Sequence, residues 1–182
     1  MISLPNLLSF ARLLSVPVAI WLMLDGRLPW AFWLFVAAGI TDAVDGYIAK
    51  RFNARTELGA YLDPLADKAL LVGAYLTLGW LGHIPAWLVI LVVFRDLLIV
   101  GGAFVVHALT GAFKAEPIAI SKVNTATQIA LVAVVLAKLG VGFDDHGVAG
   151  IMVYVAGATT VLSGGAYLFQ WTRRLMRLEG TP

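Results

Sequence analysis

Six apolar stretches, near residues 6–25, 29–50, 59–82, 84–109, 120–140 and 147–171, take up most of this sequence. Each matches the roughly 20 residues that carry a helix across the hydrocarbon core of a bilayer. The breaks between them carry turn chemistry: Asp25-Gly26-Arg27, Asn53-Ala54-Arg55, Gly82-His83-Ile84-Pro85, 111–117 and 142–147. A composition of 60% hydrophobic and only 13% charged residues points the same way. The expected fold is an all-α integral membrane protein of six transmembrane helices, one domain over 1–182. No internal repeat is evident, which speaks against a repeat-built transporter.

An even number of spans places both termini on one side. Lys50, Arg51, Arg55, Lys114, Lys122, Arg173, Arg174 and Arg177 fall on that side, and only Arg27 and Lys138 on the other. By the positive-inside rule both termini and the 51–58 loop face the cytoplasm. The net charge of +2 forms no basic stripe, so nucleic acid is not an expected partner. With no cysteine in the chain there is no disulfide, thiolate nucleophile or zinc–thiolate site. Arg12 interrupts the first apolar run, no small-residue cleavage site follows Leu24, and no Arg/Ser-rich transit segment is present. The expected location is a bacterial inner (plasma) membrane, with the chain multi-pass in it.

Four carboxylates are costly in such a chain. Asp42, Asp45, Asp63 and Asp67 stand inside or beside the second and third apolar runs. One ionised Asp at the bilayer centre costs about 2.5–3.5 kcal/mol even on the lenient insertion scale. Asp42 and Asp45 are three apart, and Asp63 and Asp67 four apart, so on two helices each pair shares a face. Two antiparallel helices across the short 51–57 connection would aim all four into one space. Hard oxygen ligands without His or Cys suit magnesium or manganese, and two such ions make a known clamp for phosphoryl displacement. Gly46 and Gly59 have no side chain, so a ligand could come close there. His83, His107 and His146 are scattered near loops and form no ligand set.

The stretch from Asp42 to Asp67 closely resembles the signature D-x2-D-G-x2-A-R-x8-G-x3-D-x3-D of the CDP-alcohol phosphatidyltransferases. Every fixed position is present except one: Lys50 stands where the family usually has Arg, with Arg51 beside it. The basic charge is kept and the bidentate fork is lost at that position, so a phosphate contact falls to Lys50 or Arg51. The resemblance implies that Asp42, Asp45, Asp63 and Asp67 hold two divalent ions. It also implies that Asp67 takes the proton of the acceptor hydroxyl. Gly46, Ala49, Lys50 and Gly59 would line the pocket for the CDP moiety of CDP-diacylglycerol, with Asn6 contributing from the first span. A homodimer is likewise implied by the family.

Other polar residues stand outside the signature. Asn6 and Arg12 lie toward the cytoplasmic end of the first span, where Arg12 reads as a snorkelling side chain. Arg95-Asp96 sits inside the fourth span, either as a buried ion pair or with Arg95 on a phosphate of the acceptor. Ser121, Asn124, Thr125 and Gln128 share one face at the start of the fifth span. They read as bundle glue, or as a cavity wall with Lys122 on a phosphate; the Lys favours the cavity. Gly73, Gly101, Gly102, Gly157, Gly164 and Gly165 are expected at helix contacts. Trp30, Trp80, Trp87 and Trp171 are expected in the interfacial belts.

Phe94-Arg95-Asp96 and Ile120-Ser121-Lys122-Val123-Asn124-Thr125 look like the eukaryotic-type, CMP-forming cardiolipin synthase branch of that family. Phosphatidylglycerophosphate synthases usually carry Arg-Glu and Gly-Lys-x-Lys-Thr at the matching places. Asn124 in place of a second Lys suits an acceptor with less phosphate charge. That acceptor would be phosphatidylglycerol, a phosphodiester, in place of glycerol 3-phosphate, a dianion. The expected reaction moves a phosphatidyl group from CDP-diacylglycerol to phosphatidylglycerol and releases CMP, at the cytoplasmic face, among membrane lipids. Phosphatidylglycerophosphate synthase is the near alternative. An ion transporter is the alternative of another class, because intramembrane Asp residues often mark ion paths.

Overall fold

The computed structural model describes the backbone of residues 4–52, 57–110 and 118–179; within these, the side chains of 4–9, 43, 45–52, 57–65, 103–110, 174–175 and 177–179 lie outside the description. The described residues form six α-helices and no strand: α1 Leu4–Leu24, α2 Leu28–Phe52, α3 Glu57–Trp80, α4 Ala86–Thr110, α5 Ala119–Val141 and α6 Val148–Glu179. Five of the six sit within a few residues of the apolar runs. Gly26 (φ 73°), Gly82 (φ 78°) and Gly142 (φ 69°) end α1, α3 and α5 in the left-handed conformation that a Cβ would disfavour. After α3 the backbone N–H of His83 returns to the carbonyl of Leu78 at 2.9 Å, closing the helix end.

The sixth helix is longer than its apolar run. It continues past Trp171 through Arg173 to Glu179, 32 residues in all. Apolarity ends near Trp171, whereas helicity needs only good helix formers, and Arg, Leu, Met and Glu supply them. Among the described residues, α5 (Ala119–Val141) and Val148–Arg173 of α6 are long and apolar enough to cross a membrane; Phe10–Leu24 and Leu28–Asp42 are shorter apolar helical stretches.

The chain divides into two compact units, one of residues 1–84 and 132–146, the other of 85–131 and 147–182. In the first unit α1 packs along α3 and α2. Ala19, Ala31, Ala38, Ala66 and Ala74 are buried there, and small side chains let helix backbones approach without a hydrophobic drive between them. Met23, Phe35, Tyr75 and Leu78 fill the remaining space. The end of α5 meets the start of α2 at Gly140, where an added Cβ would lie 2.7 Å from the carbonyl oxygen of Leu28.

In the second unit α4 packs against α6. Here two of the tryptophans expected in the belts pack over glycines. A Cβ at Gly157 would lie 2.8 Å from the Trp87 ring, and one at Gly102 would overlap the Trp171 ring. Each indole therefore lies over a glycine, and only a residue without a side chain leaves room for it. Trp30 and Trp80 stay exposed. Gly73 packs under Ile20 as expected, while a Cβ at Gly101 or Gly165 would meet nothing within 4 Å.

In both units apolar residues cover the outside as well as filling the core, and a few polar side chains are buried among them. Trp33, Ile40, Ile90, Leu97, Ile151 and Leu162 are exposed, whereas Arg12, Arg95, Asp96, Asn124, Gln128 and Ser163 are buried. Apolar exposure on this scale is unfavourable in water. A lipid surround reverses the preference, and the polar groups then find partners only inside.

Candidate active site

Asp42 of α2 and Asp67 of α3 meet at one cation. The Nη1 of Arg12, from α1, donates to Asp42 Oδ1 at 2.7 Å and to Asp67 Oδ1 at 2.6 Å. The guanidinium is deep and the acids open outward: side-chain exposure is 2% for Arg12 against 48% for Asp42 and 43% for Asp67. Arg12 therefore does not snorkel. It lies one turn or more inside α1, on the face that packs against α2 and α3, so its charge is met by carboxylates and not by headgroup water. Asp45, Gly46, Ala49, Lys50 and Arg51 continue α2, Gly59 and Asp63 open α3, and Asn6 belongs to α1. Their side chains lie outside the described residues.

The residues present fit a divalent cation. Two carboxylate oxygens from different helices already share one positively charged atom, and both side chains remain partly exposed. The donor set is hard oxygen, the type that takes magnesium or manganese. Three or more metal-ligating side chains in one group are not found among the described residues, whose number here is limited to Asp42 and Asp67.

The second unit holds a separate polar network around Arg95 of α4. Its Nη1 donates to Asp96 Oδ1 at 2.7 Å, and its Nε to Ser163 Oγ at 3.2 Å. Its Nη2 reaches both Ser121 Oγ and Ser163 Oγ, and the Tyr167 ring lies 6.0 Å away. The ion pair with Asp96 thus exists, and Ser121 joins it. One turn further along α5, Asn124 Oδ1 accepts from Thr159 and Thr160, each at 2.9 Å. Gln128 Nε2 donates to Thr160 Oγ1 at 3.2 Å. Asn124 and Gln128 are fully buried in this α5–α6 ladder, as bundle glue would be, and the Asn124 amide nitrogen has no partner among the described residues. Lys122 is exposed and does not share their face.

Sequence reasoning missed Ser163, Thr159 and Thr160. The available signal was a run of small hydroxyl residues, spaced one turn apart, in an otherwise apolar span ending in Gly164-Gly165. Buried polar side chains of this kind require partners, and Arg95, Asn124 and Gln128 are the matching donors and acceptors.

Known proteins are similar to this chain in sequence. The sequence profile of the family described as CDP-alcohol phosphatidyltransferase matches residues 2–162. The CMP-forming cardiolipin synthase of Rattus norvegicus is 32% identical over 98% of this chain and 64% of its own length. The Homo sapiens cardiolipin synthase is 33% identical over 91% of this chain and 60% of its own length. The CDP-diacylglycerol–glycerol-3-phosphate 3-phosphatidyltransferase of Bacillus subtilis is 34% identical over 92% of this chain and 94% of its own length. The chain thus spans less than two thirds of the two mammalian relatives and nearly all of the bacterial one. An acid motif across two helices, the convergence of two of its acids on one cation and a profile match over most of the sequence lead to one conclusion: this chain belongs to the CDP-alcohol phosphatidyltransferase family.

Proposed function

We propose that the chain is a CMP-forming cardiolipin synthase, moving a phosphatidyl group from CDP-diacylglycerol to phosphatidylglycerol. The observation that carries this reading is the convergence of Asp42 and Asp67 on a single cationic position. Two magnesium or manganese ions, held by Asp42, Asp45, Asp63 and Asp67, would supply neutralisation of the donor's pyrophosphate charge. Asp67 is the base: a carboxylate oxygen takes the proton of the glycerol hydroxyl, directly or through one water. The hydroxyl oxygen bonds to the phosphorus that carries diacylglycerol, and the pyrophosphate bond to CMP breaks. Asn6, Gly46, Ala49, Lys50 and Gly59 hold the CDP moiety, with Arg51 beside Lys50 on a phosphate. Lys122, exposed at the start of α5, contacts the acceptor phosphate, while Arg95, Ser121 and Asn124 are held in the polar network that joins α4, α5 and α6.

The distribution of Lys and Arg supports six spans, with both termini and the acid site at the cytoplasmic face of a bacterial inner membrane. The enzyme works as a homodimer in this reading. Membranes containing the protein, given labelled CDP-diacylglycerol and each acceptor in turn, test the proposal. Cardiolipin and CMP are expected with phosphatidylglycerol. Product formed only with glycerol 3-phosphate would instead establish phosphatidylglycerophosphate synthase. That second reading is favoured by the Bacillus subtilis relative, which this chain covers almost end to end.

A further inference from the structure

The reaction as proposed uses the carboxylates of Asp42 and Asp67 and leaves Arg12 without a part. Yet Arg12 is the residue that joins them. Its side chain is 2% exposed, it cannot give up its proton, and one of its nitrogens is shared by oxygens from two helices. A buried charge with an incidental role would be met by one acid or by backbone. Here it is placed behind two acids that each remain close to half exposed.

We infer that Arg12 is a positioning residue, the built-in cation of the acid site, which holds Asp42 and Asp67 together when divalent ions are absent and opposes those ions when they bind. Two like charges brought together by folding repel, and a cation between them removes that cost before any metal arrives. The same positive charge, fixed beside the carboxylates, repels an incoming divalent ion and shares its oxygens with it. By linkage the two effects are one coupling energy read from two sides. Arg12 stabilises the metal-free protein more than the metal-bound one, and it weakens metal binding by the same factor. The benefit of such an arrangement is an acid pair preorganised on two helices, at the expense of metal affinity.

The inference rests on the reading of the acids as a metal site, and one titration separates the two. Purified protein in detergent is titrated with Mn2+, free ion being followed by electron paramagnetic resonance, and melted in parallel in EDTA and in saturating Mn2+. In Arg12→Gln, Mn2+ affinity is expected to rise about tenfold. Its melting temperature should fall in EDTA and recover most of the loss in Mn2+, since the metal replaces the missing charge. Arg12→Lys, with a point charge in place of the fork, should bind Mn2+ about threefold more tightly than the parent. It carries the same test if the Gln variant does not fold. Unchanged or weaker Mn2+ affinity in a folded variant, or a melting loss equal in both media, overturns the inference while leaving the metal site standing. Failure of the parent protein itself to bind Mn2+ removes both.

Discussion

Asp67 carries two duties in the proposed reaction, as a metal ligand and as the base, and they can be separated at this residue. Asp67→Asn keeps the shape and one ligating oxygen but has no basicity. CMP release should fall by about 10²–10⁴, the usual range for loss of a general base. Binding of CDP-diacylglycerol, followed by equilibrium exchange of labelled donor, should change little. Unchanged turnover would remove Asp67 from the base role. Asp42 and Asp67 were legible in the sequence as carboxylates too costly to leave unpartnered in so apolar a chain. Their partner was not. Arg12 is 30 residues from Asp42 and 55 from Asp67, and spacing along one sequence carries no trace of so distant a pairing. The same holds for Ser163, 68 residues from Arg95. Arg12 read as a snorkelling residue since its sequence neighbours are apolar and its position lies near a helix start; only tertiary packing shows where the side chain goes.

Helices and their ends were nearly complete in the sequence, since five of the six end close to their apolar runs and only α6 continues beyond its own. Left-handed glycines at Gly26, Gly82 and Gly142 supplied the stops. How helices approach one another was only partly legible. Gly101 and Gly102 are adjacent and look alike in the sequence, yet only Gly102 lies beneath an indole. The difference is rotation about the helix axis, which places one toward a partner and the other away. Two substitutions measure it at different contacts. Gly140→Ala forces a Cβ against a backbone oxygen that no rotamer change can move, and should cost about 1–3 kcal/mol in thermal or denaturant unfolding in detergent. Gly101→Ala meets no neighbour and should be neutral or stabilising by up to about 1 kcal/mol through helix propensity. Equal effects at the two positions would contradict the packing described.

On the scale of the whole chain, an apolar exterior with the charged groups gathered inside an otherwise apolar core follows from a single requirement, that charged groups in lipid find one another inside the protein. The sequence conveyed this as composition, and the buried Arg12 and Arg95 clusters give it location. The sixth helix adds something that composition did not. Thirty-two residues rise about 48 Å, well beyond a hydrocarbon thickness of about 30 Å. In the proposed six-span arrangement its last turns, with Arg173 and the exposed Met176, would stand as a post in the aqueous phase. In a protein without a native thiol, Met176→Cys becomes a lone chemical tag on that post. A maleimide that cannot cross lipid should label it in inside-out vesicles and spare it in intact spheroplasts. The reverse pattern would place the post, and the leaflet from which the enzyme draws its substrates, on the outer surface of the cell.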